Sequence, residues 1–454
     1  MKINKIIFWI ALVIMLSSGC KKYLEQKSNA KLVTPKTLTD IQGLLDDPEY
    51  MNIKTTPSLG ESSADDYFML PTTYNALNAN YQNMYRWVPV DIRYGNDWML
   101  SYLAIYNANL SMDLLSTIER DNANATAWDN IRGSALFYRA FYLLGLCGNY
   151  AKVYNDATAN TDLGVVLRLN SDFNVPSARA SVSASFAQII ADATESITLL
   201  PDYPQQLLRP SKGAAYALLA RTYLYMGKYE QARTYAEQAL KLNNSLMDYN
   251  ADTFISPLTA SAPFKKFNSE TIFYTEMGQY NVLHSTSRGR IDTTLVSSYI
   301  TGDLRRTGFF TSTAGYQQFK GNYTSSSSAF FSGLATDEMY LIRAEANAYL
   351  GLLDAALADV NTLLKKRWDK TKTFIPATGT TREGVLARVK LERRKELLMR
   401  GLRWMDIKRY IREGDNIVLK RKIGTTIVTL EPNSAYYALP IPIDIIEQSG
   451  IKQN

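Results

Sequence analysis

Few side chains in this sequence have the type and spacing for covalent or acid–base chemistry. His284 is the only histidine in 454 residues. A histidine metal site or a Ser-His-Asp triad would have to be built around it alone. It lies in Asn281-Val-Leu-His-Ser-Thr with no second ligand at helical spacing, and reads as a loop or strand histidine. The adjacent carboxylates Asp65-Asp66 could suggest a glycosidase. Adjacent strand residues point to opposite faces, however, and a glycosidase pair stands about 5–9.5 Å apart, usually on distant chain positions. No nucleophile elbow is present. Cys147, in the apolar run Phe141-Tyr-Leu-Leu-Gly-Leu-Cys-Gly, reads as a small core residue. The dense Glu–Arg mixture from Glu383 to Tyr410 could hold a phosphate, but an ion-pair network holding a helix in place fits it better. These residues predict a binding protein with no catalytic site, no metal and no cofactor.

The other cysteine, Cys20, has a different setting. Lys2 and Lys5 precede an unbroken apolar run from Ile6 to Leu16, and Ser17-Ser18-Gly19-Cys20 follows. A run of this length is too short to span a bilayer as a mature helix, which needs about 20 apolar residues, but it suits a secretory leader. Small residues before Cys20 resemble the end of a bacterial lipobox, with Ser17 where an apolar residue is usual and Leu16 just before it. Residues 1–19 are therefore predicted to be a lipoprotein signal peptide. Residues 20–36 would be the lipidated Cys20 and its polar tether. Each buried acyl CH₂ contributes about 0.8 kcal/mol, so a multiply acylated cysteine anchors stably. No other segment is apolar enough to cross a membrane. The formal charge of +7 includes Lys2 and Lys5 and is spread along the chain. Without a basic stripe or a zinc or RNA-binding motif, no nucleic acid partner is expected.

The elements that must position any site are mostly helical. Leu38–Leu45 reads as a helix capped by Thr37 or Thr39 and ended by Asp46-Asp47-Pro48. From Met51 to Asn96 the pattern is irregular. A helix begins at Trp98, with an apolar stripe of Leu103, Ile105, Tyr106, Leu110, Leu114 and Ile118. Ile131–Leu146 and Val182–Leu200 are two more, with an extended piece from Gly164 to Leu169 between them. Ser211–Leu242 has the layout of a tetratricopeptide repeat: small Ala217 and Ala220, a turn at Gly227, Tyr229 packing across it, then Ala232, Ala236 and Ala239. Asp337–Arg367 repeats it, with Ala344, Gly351, Ala356, Val360 and Leu363 at the same offsets. Such units bury their apolar faces only by stacking. Between them lies a loop insertion, 249–335, with Thr271–Glu276 and Tyr316–Lys320 as short strands and Ser325–Ser328 as a flexible tip. An insertion this long is usually functional. Glu383–Tyr410 reads as a helix pair, and Tyr437–Asp444 as an extended, Pro-punctuated segment. The fold class expected is mostly α: a tetratricopeptide-like scaffold with an irregular, loop-rich ligand-binding region and a few short strands.

Several elements together resemble the SusD/RagB family of Bacteroidetes outer-membrane lipoproteins. They are the lipobox, Asp65-Asp66, Trp98–Asn109, Glu338-Met-Tyr-Leu-Ile-Arg-Ala-Glu-Ala, Glu392-Arg-Arg-Lys-Glu-Leu, Gly401-Leu-Arg-Trp-Met-Asp-Ile-Lys-Arg and Leu439-Pro-Ile-Pro, in family order over nearly the whole mature chain. The resemblance implies an N-terminal region at 37–210 and a C-terminal one at 211–454 within one compact body. It further implies a surface lid over a SusC-like TonB-dependent transporter, capturing a glycan or oligopeptide and performing no chemistry. The alternatives are a repeat scaffold for envelope assembly without a small ligand and, less favoured, a glycosidase. The family places ligand contacts in the irregular stretch and the insertion. Aromatic faces cover the apolar side of a sugar, and Asn, Asp and Arg bind its hydroxyls. Asp65, Trp87, Arg93, Tyr94 and Asn96 supply those types, with Tyr316 and Phe319 added from the insertion. Trp98 is expected in the core.

Overall fold

The computed structural model describes residues 35–454 except 94 and 281; the leader, Cys20 and most of the tether lie outside the described residues. Among the described residues, ten longer helices carry the fold: α1 (Leu38–Leu45), α2 (Asp97–Leu115), α3 (Ala125–Tyr150), α4 (Val182–Leu199), α5 (Lys212–Met226), α6 (Tyr229–Leu242), α7 (Thr336–Tyr349), α8 (Leu353–Arg367), α9 (Arg382–Glu396) and α10 (Arg403–Arg412). Their starts follow local chemistry. The Thr37 hydroxyl accepts from Asp40 N at 3.2 Å while the Asp40 carboxylate accepts from Thr37 N, a reciprocal cap that sets α1. Asn96, Ser181, Ser211 and Thr381 cap α2, α4, α5 and α9 in the same manner, with a side-chain oxygen accepting from an otherwise unpaired N–H.

From α2 to α8 each helix packs against the next, and α9 closes the stack on α7 and α8. Small residues allow the close approach. Ala214, Ala217 and Ala220 on α5 and Ala232, Ala236 and Ala239 on α6 are all buried. Both repeats appear as expected, turning at Gly227 (φ +77°) and Gly351 (φ +79°). Tyr229 does more than pack across its own turn. It stacks face to face on Tyr349 with ring centroids 3.9 Å apart, so it joins one repeat to the other.

Two sequence expectations are corrected here. The core face of α2 is not the large apolar stripe but a row of small residues, Ser101, Ala104, Ala108 and Ser111, with Ile105 and Leu115. Tyr106 is 39% exposed on another face, and Ile118 falls beyond the helix end. The stretch 51–96 contains short helices at Leu59–Ser63, Pro71–Asn75 and Ala79–Tyr85 and a strand at Tyr67–Met69. Elements this short show no period.

The insertion leaves the stack after α6 and returns at α7, since those two helices pack directly on each other. Its Thr271–Phe273 strand pairs with Leu334–Ala335, and Phe310–Thr313 pairs with Tyr316–Phe319. Its Gly289–Ile291 strand pairs antiparallel with Tyr67–Met69, with Phe68 opposite Arg290. That pairing places the tip of the insertion beside the irregular N-terminal stretch. The C-terminus adds a hairpin, Leu419–Ile423 with Thr426–Leu430, and a helix, Ile443–Ser449, which begins within the last two residues of the segment expected to be extended.

Candidate functional site

Asp65 and Asp66 meet arginines rather than a ligand. Arg403 donates to both Asp65 oxygens at 2.7 and 2.9 Å, and Arg394 donates to Asp66 Oδ1 at 2.7 Å. Burial works against ionisation of Asp65, but the Arg403 and Arg394 charges outweigh it and hold the carboxyl well below the usual range. The pair thus ties the N-terminal stretch to α9 and α10, so Asp65, expected to contact ligand, is engaged by two arginines. Trp87, also expected at the ligand surface, lies in the core. It is 5% exposed, donates to Ser63 O at 2.9 Å and lies under the Arg421 guanidinium at 4.5 Å. Asn96 is buried as the cap of α2, accepting from Met99 N at 2.9 Å. Phe319 is buried against Phe309, 5.7 Å between centroids. Tyr94 lies outside the described residues.

Arg93 and Tyr316 do reach the surface, and they flank one region. A cleft of about 350 Å³ is lined by Asn78, Asn80, Tyr81, Arg93, Gly95 and Tyr280 among others. Gly95 (φ +83°) has a structural duty here. A Cβ at this position would stand 3.1 Å from the Tyr280 ring, so only glycine lets that ring lie over the backbone. Tyr280 is 42% exposed. Arg288 covers the Tyr81 ring at 5.7 Å and precedes the strand that pairs with Phe68. Phe68 in turn meets Tyr316 edge to face at 5.2 Å, and Tyr316 is 37% exposed. The pairing of Phe68 with Arg290 thus sets the Tyr81–Arg288 contact and the Phe68–Tyr316 contact on neighbouring strands. Among the described residues, the Asn80 amide and the Tyr280 and Tyr316 hydroxyls have no internal hydrogen-bond partner. Arg93 is held toward Glu447 and Asp91, each at 3.0 Å. Exposed ring faces beside unpaired amide and hydroxyl groups can receive a neutral polyhydroxylated ligand. Sequence reasoning missed Tyr81, Asn80 and Tyr280, because nothing in their local pattern separates them from the other tyrosines and asparagines.

The remaining reactive groups are structural. His284 is 2% exposed, its Nδ1 is 2.9 Å from Ser62 Oγ, and burial pushes its pKa down to about 3. Cys147 is fully buried, as expected, with its thiol pushed up to about 12 by burial. The Glu–Arg run forms the ion-pair network anticipated for it. Arg305 reaches Asp303, Glu392 and Glu396; Arg367 reaches Glu270 and Glu396; Arg409 pairs with Glu345 and Asp406. Glu270, Asp337 and Glu396 lie close enough together to hold a metal ion. Arg367 and Arg400 already present guanidiniums to them, so each carboxylate is engaged by one of the protein's own cations.

Residues 22–224 match a family model described as starch-binding and associating with the outer membrane, and residues 220–454 match the SusD family model. A sequence search of curated proteins gave no match. Among solved structures, a putative sugar binding protein from Bacteroides vulgatus ATCC 8482 aligns over 93% of this chain and 99% of its own, with 20% identity and a TM-score of 0.74. A SusD superfamily protein from Bacteroides thetaiotaomicron VPI-5482 covers 92% and 99% at 20% identity and a TM-score of 0.73. Another from Bacteroides fragilis covers 91% and 98% at 19% identity and a TM-score of 0.72. At these identities the structures speak to the fold, which is the helical stack described above. No described helix is long and apolar enough to cross a membrane. With more than half its length, residues 220–454, matched by one family model, the chain belongs to the SusD family.

Proposed function

We propose that this protein captures a neutral glycan at the cell surface and passes it to a SusC-like TonB-dependent transporter, performing no chemistry itself. The observation that carries the reading is the rim of Tyr280, Tyr316, Asn80 and Tyr81. The Tyr280 and Tyr316 rings are exposed, and among the described residues the Asn80 amide and the Tyr280 and Tyr316 hydroxyls have no internal partner. Rings cover the C–H face of a sugar, and amides and hydroxyls replace the water around its rim. Cys20 is the lipid anchor in this reading, and the helical stack faces the transporter. Arg93 contributes at the edge of the cleft, where its exposed ion pairs are weak enough to exchange for a ligand hydroxyl.

Incubating the mature protein with a printed panel of neutral oligosaccharides and oligopeptides tests the substrate class. Binding to a glycan without release of shorter products is expected. Turnover would contradict the reading, and binding of peptides alone would move it to that class. Affinity purification from the native envelope is expected to bring down a large TonB-dependent barrel. A barrel without any ligand on the panel would favour a scaffold instead.

A further inference from the structure

A second groove, of about 580 Å³, opens between α2, the loop 167–177 and the C-terminal helix Ile443–Ser449. Along its floor Trp98, Tyr102 and Tyr106 follow one another at intervals of four residues. Residues so spaced lie on one helix face, each about 6 Å further along the axis. The Trp98 and Tyr102 rings are 5.0 Å apart. Trp98 is buried to 4%, whereas Tyr106 is 39% exposed, so the ladder climbs from the core into the groove. The opposite wall carries Phe173, 80% exposed.

The position of Phe173 is built in. The Arg168 guanidinium donates to Val175 O at 2.6 Å and to Ser177 Oγ at 2.7 Å, closing the loop on itself. Asp113 on α2 accepts from Ser171 N and Oγ at 2.7 and 2.6 Å. Asn109 Nδ2 donates to the carbonyls of Arg168 and Asn170, and Asn109 Oδ1 accepts from Arg139, itself paired with buried Asp192. A loop fixed by this many bonds holds the Phe173 ring preorganised at the groove, so that stacking on a ligand costs little further ordering.

The chemistry of the walls selects that partner. Arg168, Asp113 and Asp172 are engaged within the loop and its support. Apart from Asp172 Oδ2, the groups left without an internal partner among the described residues are neutral: the Gln448 amide, the Asn170 Nδ2 and the Tyr106 hydroxyl. We infer that this groove is a second saccharide site, binding a neutral oligosaccharide segment between the Tyr106 and Phe173 rings. The inference rests on reading the protein as a glycan binder but not on the rim cleft. The two sites lie on either side of the Ile443–Ser449 helix, whose Glu447 pairs with Arg93 of the cleft and whose Gln448 and Ser449 line the groove.

The test is calorimetric titration of the mature chain with short neutral oligosaccharides, maltoheptaose among them, after a printed panel has identified which are bound. The unchanged protein is compared with Tyr106→Ala/Phe173→Ala, Tyr280→Ala/Tyr316→Ala and Tyr106→Phe. Two binding events per chain are expected. The groove double variant should weaken one of them about tenfold, the magnitude of losing two stacked rings, and leave the other. Tyr106→Phe keeps the ring and should retain both. An isotherm unchanged by the groove substitutions overturns the inference, and if those substitutions instead abolish co-purification of the barrel, the groove is a protein-docking face. Loss of all binding in the rim variant alone overturns the groove and leaves the proposed function intact. Loss in the groove variant alone supports the groove and overturns the rim. A panel with no bound glycan overturns both.

Discussion

At the scale of single residues, side chains that looked reactive in the sequence are held by partners that remove their reactivity. Asp65 is the instructive case. An exposed-looking acidic pair suits a sugar hydroxyl, yet the same carboxylates suit guanidiniums better, and Arg394 and Arg403 come from more than 300 residues away. Local sequence carries no record of such a long-range choice. Trp87 was misplaced for a similar reason, since its covering cation, Arg421, lies in a distant hairpin. Glu61 offers a pH test. Burial first, and then the charge of Asp66, raise its carboxyl to about 8 from an ordinary 4.5. A group whose folded pKa is raised contributes stability that is complete below its unfolded pKa and is lost as pH rises through the folded one. Glu61→Gln keeps an acceptor for Gly401 N, which donates to Glu61 at 2.9 Å. It should therefore match the parent in urea denaturation at pH 4.5 and exceed it increasingly toward pH 8. A constant difference across that range would contradict the assignment. Arg409 is equally buried and is engaged by Glu345 and Asp406. Arg409→Leu strands Glu345, while Asp406 keeps Arg393 at 2.9 Å, and should lower stability by about 3–5 kcal/mol in the same assay.

At the scale of elements, the repeats were the most legible part of the chain. Their signal is local: small residues at fixed offsets and a glycine where the backbone must turn left-handed. Gly227 shows how strict that is. Its φ is +77°, and a Cβ would stand 2.9 Å from the Arg412 guanidinium. Gly227→Ala should cost more than about 1 kcal/mol in thermal or chemical unfolding, whereas a neutral effect would mean the turn is not set by that residue. The α1 cap and the start of α4 could likewise be read from Thr37 and Ser181. The α2 stripe was misread because the helix presents aromatic residues to a groove and small ones to its neighbour, the reverse of an ordinary amphipathic helix. The Leu419–Leu430 hairpin was missed although its alternation is present, with buried Leu419 and Arg421 separated by exposed Lys420. A buried arginine disguises that pattern.

At the scale of the whole molecule, one arrangement explains why the helical body was legible and the ligand surface was not. The stack is built from neighbouring segments, so its code is periodic. The rim is assembled from residues near 80, 93, 280 and 316, brought together by the Tyr67–Met69 and Gly289–Ile291 pairing. No period links them. The ion-pair network then fixes the insertion to the C-terminal helices, with Glu270 and Arg305 of the insertion meeting Arg367, Glu392 and Glu396. A rigid body holding exposed rings is suited to capture by preformed surfaces. The most direct test of that claim is titration of a panel-identified glycan into the unchanged protein and into Tyr280→Ala/Tyr316→Ala, with thermal unfolding measured on both. Loss of the rim binding event, about tenfold or more in affinity, with an unchanged Tm is the predicted result. Full retention of glycan affinity in the variant would contradict capture at the rim.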